Sequence, residues 1–260
     1  HTIRNYIMAE SLEQAWELNQ KGRNNVIIGG NLWLKMGNRN ILNAIDLSTL
    51  GLDRIEEDES GFRIGCMATL RDIEMHEGLN KEFQNLFKEA VRHIVGVQFR
   101  NCATVGGSIF PKLGFSDVLT AFLACDTQVI LYKKGEVSLR EFIYMPLDND
   151  ILTHIYVKKD GRKTAYESFR MTETDFPTLT CAMAMVDGRF ETVLGARPKH
   201  AEVVIDEELA DSLSKEDVAS YAKRVIDKLQ YGSNIRGSKQ YRKQLSKVLI
   251  SRCISRLTEE

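Results

Sequence analysis

The sequence predicts an α+β protein. A larger N-terminal part is built on two glycine-paired turns, and a C-terminal lobe combines antiparallel strands with helices. Three observations predict it. The pairs Gly29-Gly30 and Gly106-Gly107 each adjoin a short apolar run. From about Asp160 the pattern changes to three strands, Thr164 to Met171, Thr178 to Val186 and Phe190 to Ala196, with the hairpin signal Asp187-Gly188 between the last two. Two helical patterns, from Ser214 to Gln230 and from Ser238 to about Leu257, close the chain.

In order, Ser11-Leu12-Glu13-Gln14 reads as a capping box opening a helix that Gly22 ends. Asn25 to Ile28 is a short buried strand broken at Gly29-Gly30, and Asn31 is placed to cap a helix from Leu32 to Met36. Ile41 to Leu47 is a second strand. Arg54 to Glu57 and Phe62 to Gly65 form hairpin arms around Ser60-Gly61, and Thr69 to Asp72 opens a short helix. Phe83, Leu86, Phe87, Ala90, Val91 and Ile94 make a core stripe on one helix capped by Asn80 and stopped at Gly96. Ser116-Asp117 precedes an apolar helix, Val118 to Ala124. Strands follow at Thr127 to Tyr132, Glu136 to Leu139 and Ile151 to Val157.

Composition is that of a globular protein, 43% hydrophobic and 27% charged, with net charge −1. That balance gives no electrostatic case for nucleic acid or an anionic membrane. No apolar run reaches membrane-span length, and the opening residues hold no signal-peptide core. Five scattered cysteines without C-x-x-C give no zinc or iron–sulfur ligand set and fit a reducing cytosol. No histidine stands at motif spacing from a carboxylate or cysteine, so no catalytic residue and no metal ligand is assigned.

Taken singly, each glycine pair reads as a tight turn. Neither fits G-x-G-x-x-G or G-x-x-x-x-G-K-[ST]. What they offer is a backbone without Cβ atoms and a row of N–H groups able to hold an anion.

Ordered blocks carry more weight. Val26-Ile27-Ile28-Gly29-Gly30-Asn31-Leu32, Asn101 to Ile109, Ser116-Asp117, Asp126 to Leu131, Tyr166-Glu167-Ser168-Phe169-Arg170, Asp175-Phe176-Pro177 and Arg242-Lys243-Gln244-Leu245 occur in that sequence. In these blocks the chain resembles the FAD-binding medium subunit of molybdenum-containing hydroxylases, the xanthine dehydrogenase and carbon-monoxide dehydrogenase flavoprotein family. The resemblance spans nearly the whole chain. It implies an FAD-binding fold of the vanillyl-alcohol-oxidase/PCMH type in two subdomains, about 1–52 and 53–158. A C-terminal α+β domain, 159–260, with a three-stranded antiparallel sheet and helices on one side would follow.

It further implies FAD as cofactor, contacted by Val26, Ile27, Ile28, Gly29, Gly30, Asn31, Leu32 and Trp33 in the first turn. Ala103, Thr104, Val105, Gly106, Gly107 and Ser108 would contact it in the second. Asp117 would bind a ribityl or nearby hydroxyl, Leu152 would lie against a ring, and Arg170 would stand near the flavin; Ile94 and Phe99 match apolar contacts more loosely. Gly107→Val would abolish FAD binding. The implied partners are a molybdopterin-binding large subunit and a 2Fe-2S small subunit, with NAD or another electron acceptor, in the cytoplasm.

The sequence departs from the family at Asn31-Leu32, where Thr-Asp is common, and in the loop Phe110 to Phe115. It is also short for the family. Two other readings stay open: a flavin-free structural or assembly subunit, and a stand-alone flavin oxidoreductase.

Overall fold

The computed structural model describes residues 2–206 and 214–258. Strand β1 (Thr2–Met8) leads to α1 (Leu12–Gln20), β2 (Asn25–Ile28), a single 3-10 turn at Leu34–Met36 and β3 (Asn40–Asp46). The hairpin β4 (Ile55–Glu57) and β5 (Gly61–Gly65) precedes α2 (Leu70–Met75), α3 (Glu77–Glu82) and α4 (Leu86–Val91). Short helices α5 (Val97–Arg100), α6 (Val105–Ile109) and α7 (Asp117–Leu123) follow. Then come β6 (Thr127–Leu131), β7 (Gly135–Ser138), α8 (Leu139–Phe142) and β8 (Leu152–Lys158). The chain ends on β9 (Lys163–Phe169), β10 (Leu179–Val186), β11 (Arg189–Gly195), β12 (Glu202–Ile205), α9 (Lys215–Asp227) and α10 (Lys239–Thr258).

Two compact units result. The first comprises His1–Ile73, Val97–Pro111 and Thr127–Val157. It holds a three-stranded parallel sheet, order β1-β3-β2, and a five-stranded sheet, order β4-β5-β8-β6-β7. Local chemistry sets its elements. Ser11 accepts the Gln14 amide at 3.1 Å and starts α1. Asp58 Oδ1 gathers the amides of Ser60 and Gly61 and closes the β4–β5 hairpin. Ile28, Ile41 and Ala44 are buried together beneath the parallel sheet's glycine turn.

The second unit comprises Glu74–Gly96, Lys112–Asp126 and Lys158–Glu260. Its sheet is antiparallel, order β12-β11-β10-β9. Leu179, Cys181 and Met183 alternate onto a face packed by α9 and α10 through Val225, Leu249, Ile250 and Cys253. The intervening residues turn the other way: Thr180 bonds Thr120 of α7, and Thr164 bonds the Phe83 carbonyl.

Four expectations change. The C-terminal sheet has four strands, not three, because the short segment β12 adds to β11. Helices cover both faces of it, not one, since α4 and α7 pack where only α9 and α10 were expected. The helix expected from Asn80 to Gly96 breaks between α3 and α4, where Gln84 and Asn85 take left-handed φ of 45° and 63°. Its stripe is still core: Phe83, Leu86, Phe87, Ala90 and Val91 are all buried. Strand β1 was not expected, because an edge strand with mostly exposed side chains shows no burial pattern.

Candidate cofactor-binding site

The first turn leaves β2 and runs against residues 102–104 of the same unit. A Cβ at Gly29 would stand 2.3 Å from Thr104 Oγ1. One at Gly30 would stand 1.7 Å from the Cys102 carbonyl oxygen. No side chain fits either place, so contact between the two turns dictates both glycines. Turns widely separated in sequence therefore meet.

Beyond Gly30 the backbone opens. Asn31 takes a left-handed φ of 58°, which its short polar side chain tolerates. Its Oδ1 is buried and accepts no hydrogen bond. Among the described residues the amides of Gly29, Gly30, Asn31 and Leu32 also meet no acceptor. Asn31 does not cap a helix, contrary to expectation: the 3-10 turn begins later, at Leu34, and has no side-chain cap. The unmatched donors thus belong to the loop itself. Val26 and Ile28 anchor it from the core, and Trp33 packs edge-on against Phe99 at 5.3 Å.

The second turn behaves differently. Thr104 caps α6, its Oγ1 accepting the Gly107 amide at 3.2 Å. The Val105 amide donates to the Ala68 carbonyl and the Gly106 amide to the Cys66 carbonyl, each at 2.8 Å. Ser108 Oγ donates to the Thr104 carbonyl. Three successive amides of the row expected here, those of Val105, Gly106 and Gly107, are therefore already committed inside the unit. Gly106 is required for another reason: a Cβ there would lie 2.7 Å from both Cys66 Cβ and its carbonyl oxygen. Ala103 is buried, and its carbonyl accepts from Leu70. Leu152, in β8 of this unit, is buried as well. The carbonyls of Cys66 and Ala68 had no signal in the sequence, because nothing local marks residues after β5 as the floor of a distant turn.

Asp117 and Arg170 both lie in the second unit, and the structure joins them. Arg170 donates to Asp117 Oδ2 at 2.7 Å, and the Tyr166 hydroxyl donates to Oδ1 at 2.5 Å. Arg170 also donates to Ser168 Oγ and to the Asp175 carbonyl. Burial pushes the Asp117 carboxyl up, while Arg170 and Tyr166 pull it back. Burial also opposes the Arg170 charge, but the Asp117 carboxylate outweighs it and raises the arginine. Burial and the same carboxylate hold Tyr166 well above the ordinary phenol value. Tyr166 was quoted in the sequence blocks without a role; it is the third member of this network. In the unusual loop, Phe110 packs on Phe142 and Phe115 on Phe176.

Residues 2–157 match the family model of the FAD binding domain in molybdopterin dehydrogenase, and the chain belongs to that family. It is 26% identical over 195 residues to the uncharacterized protein YgfM of Escherichia coli K12, covering 71% of each chain. It is 26% identical over 267 residues to the glyceraldehyde dehydrogenase medium chain of Sulfolobus acidocaldarius, covering 94% of each. Its fold matches a chain of carbon monoxide dehydrogenase from Hydrogenophaga pseudoflava with a TM-score of 0.84, at 23% identity and 96% coverage of both. The protein thus carries the FAD-binding domain of the molybdopterin dehydrogenases and is an oxidoreductase component. No helix among the described residues is long and apolar enough to cross a membrane.

The residues present fit the cofactor. Unmatched loop amides suit a diphosphate, which accepts hydrogen bonds and donates none. The unpartnered Asn31 Oδ1 suits a hydroxyl or amino donor of the same molecule.

Proposed function

We propose that this chain is the electron-transfer flavoprotein subunit of a multi-subunit dehydrogenase. It would work with a molybdopterin-binding large subunit and a 2Fe-2S small subunit, taking electrons from the latter and delivering them to NAD or another acceptor. When bound, FAD supplies the redox chemistry: it accepts electrons singly and releases them in pairs. The chain's own residues hold and orient it. Gly29, Gly30, Asn31 and Leu32 would donate main-chain N–H groups to the diphosphate, with no Lys or Arg in either turn to share the work. Asn31 Oδ1 would accept from a sugar hydroxyl or the adenine amino group. Cys102 and Thr104 back the loop and fix its path.

Leu152 would cover a ring face. Asp117 would accept from a ribityl hydroxyl, since each of its oxygens has one lone pair beyond those used by Tyr166 and Arg170. Arg170 would orient that carboxylate; its charge is matched by Asp117, so it adds little net positive potential of its own.

One observation supports the reading above the rest: a tight contact between two turns, with no room for a Cβ at Gly29 or Gly30, leaves four amides of one of them unmatched. The test is an absorbance scan of the purified chain with thermal unfolding at rising FAD. The expected result is a flavin spectrum and a melting temperature that climbs with FAD, by roughly 2.7 kcal/mol of stabilisation at a hundredfold excess over Kd. A colourless chain indifferent to FAD would favour the structural-subunit reading. Turnover of NADH and a dye by the isolated chain would favour the stand-alone oxidoreductase.

A further inference from the structure

The C-terminal stretch segregates charge. Residues 231–258 hold seven Lys or Arg and no Asp or Glu, in a chain of net charge −1. Three of the seven are used internally. Arg242, 0% exposed, donates Nε to the Thr178 carbonyl at 2.9 Å and Nη1 to the carbonyls of Gly232, at 3.1 Å, and Gly237. Its Nη2 reaches Asn234 Oδ1 at 2.5 Å. Arg236 pairs with Asp175 at 2.8 Å and stacks over Phe176, and Arg256 pairs with Glu167 at 2.6 Å. Lys239, Lys243, Lys247 and Arg252 form no ion pair among the described residues.

Those internal bonds brace a turn. Asn234 and Gly237 close it with reciprocal backbone hydrogen bonds of 3.1 Å. At its tip Ile235 is 96% exposed, the largest exposure of any large hydrophobic residue described. The turn abuts α10, since a Cβ at Gly237 would lie 3.2 Å from Tyr241 Cδ1. On α10 the exposed Tyr241 and Val248 stand seven residues apart, so they share a face, and Arg252 lies one turn beyond Val248. A buried arginine with four hydrogen bonds thus holds rigid a turn whose apolar tip stands in water. A pre-ordered apolar tip loses little freedom on binding, which is the property of an interface anchor.

We propose that the Ile235 turn and the outward face of α10 dock an acidic, apolar-socketed surface of a partner subunit. The inference rests on the reading that the chain works in a complex. Charge selects the occupant: four cations without a carboxylate partner among the described residues, Lys243 lying over the Tyr231 ring at 5.9 Å, call for carboxylates. A second copy of this face would bring like charges together. A nucleic-acid backbone offers Ile235 and Val248 nothing to bury against. A bilayer would need a broad apolar face, whereas Leu245, Leu249, Ile250 and Leu257 of α10 are buried in the unit.

The test uses the natively purified complex. Carbodiimide coupling and peptide mass spectrometry should join Lys239, Lys243 or Lys247 to an Asp or Glu of another subunit, with yield falling severalfold between about 0.05 and 0.5 M NaCl. Ile235→Asp and a Lys247→Glu/Arg252→Glu double variant should each weaken assembly at least tenfold, with FAD content and melting temperature unchanged because these side chains are exposed. Wild-type assembly by both variants overturns the proposal, as does coupling only to carboxylates of this chain. So does loss of binding to phosphatidylserine vesicles or duplex DNA in place of a subunit. A wild-type chain that purifies with no other subunit removes the complex reading as well.

Discussion

The two glycine turns share a composition and differ in what their amides can do. After β2, four successive amides find no acceptor among the described residues. In α6, Val105, Gly106 and Gly107 donate to Ala68, Cys66 and Thr104. One turn is a donor surface, and the other is the wall that shapes it. A glycine pair in a sequence therefore states only that a Cβ is excluded. Whether it excludes one for a ligand or for a neighbouring carbonyl is decided elsewhere in the chain.

Breaking the contact between the turns should have the largest effect. Gly30→Ala puts a methyl 1.7 Å from a backbone oxygen that cannot rotate away. The expected cost is about 3 kcal/mol, or roughly 10 °C in melting temperature, with loss of bound FAD. Calorimetry and flavin absorbance of the purified variant check this, and a variant that keeps both values would mean the turns do not meet.

Next comes a contrast inside the second turn. The sequence led to Gly107 as a glycine whose replacement by Val would obstruct the FAD diphosphate. For the protein's own packing the tighter place is Gly106, because a Cβ at Gly107 meets only Thr104 Oγ1, at 3.0 Å, and Gly107 has no left-handed φ. Gly106→Ala should lose about 2 kcal/mol, and Gly107→Ala under 1 kcal/mol. Equal urea midpoints for the two alanine variants would erase the distinction.

What was legible in the sequence follows the range of each signal. Ser11, Thr69, Ser116 and Ser214 act within one helical turn, and their caps form. The stripe from Phe83 to Val91 marked buried residues, but not the break at Gln84 and Asn85, since burial periodicity is blind to two left-handed residues. The pairing of Asp117 with Tyr166 and the flooring of Gly106 by Cys66 depend on distant backbone, which no local pattern encodes. Asn31 looked like a helix cap because Asn often is one; in a left-handed loop its oxygen is left without a donor.

That oxygen gives a smaller and cleaner contrast. Asn31→Gly keeps the positive φ and removes only the carboxamide. Isothermal titration should show FAD affinity down by about tenfold, some 1.4 kcal/mol, with apo stability unchanged or slightly raised, since an unsatisfied buried acceptor is removed. If the affinity stays at the wild-type value, Oδ1 faces no ligand donor.

The smallest expected effect separates the turns by pH. The wall turn rests on Cys66, whose thiol burial pushes up to about 12, well above the ordinary thiol range. The folded state therefore prefers the neutral thiol. Its contribution is complete below pH 9, where the unfolded thiol is also neutral, and is lost progressively as pH rises toward about 12. By pH 10 the loss should be roughly 1 kcal/mol. The first turn, Gly29 to Leu32, contains no titratable side chain and has no such dependence. Cys66→Ala should lower stability by a constant amount at neutral pH and flatten its decline between pH 8 and 10 relative to wild type. Parallel stability curves for the two proteins over that range would mean the thiol titrates normally, and that the floor of α6 is open to water.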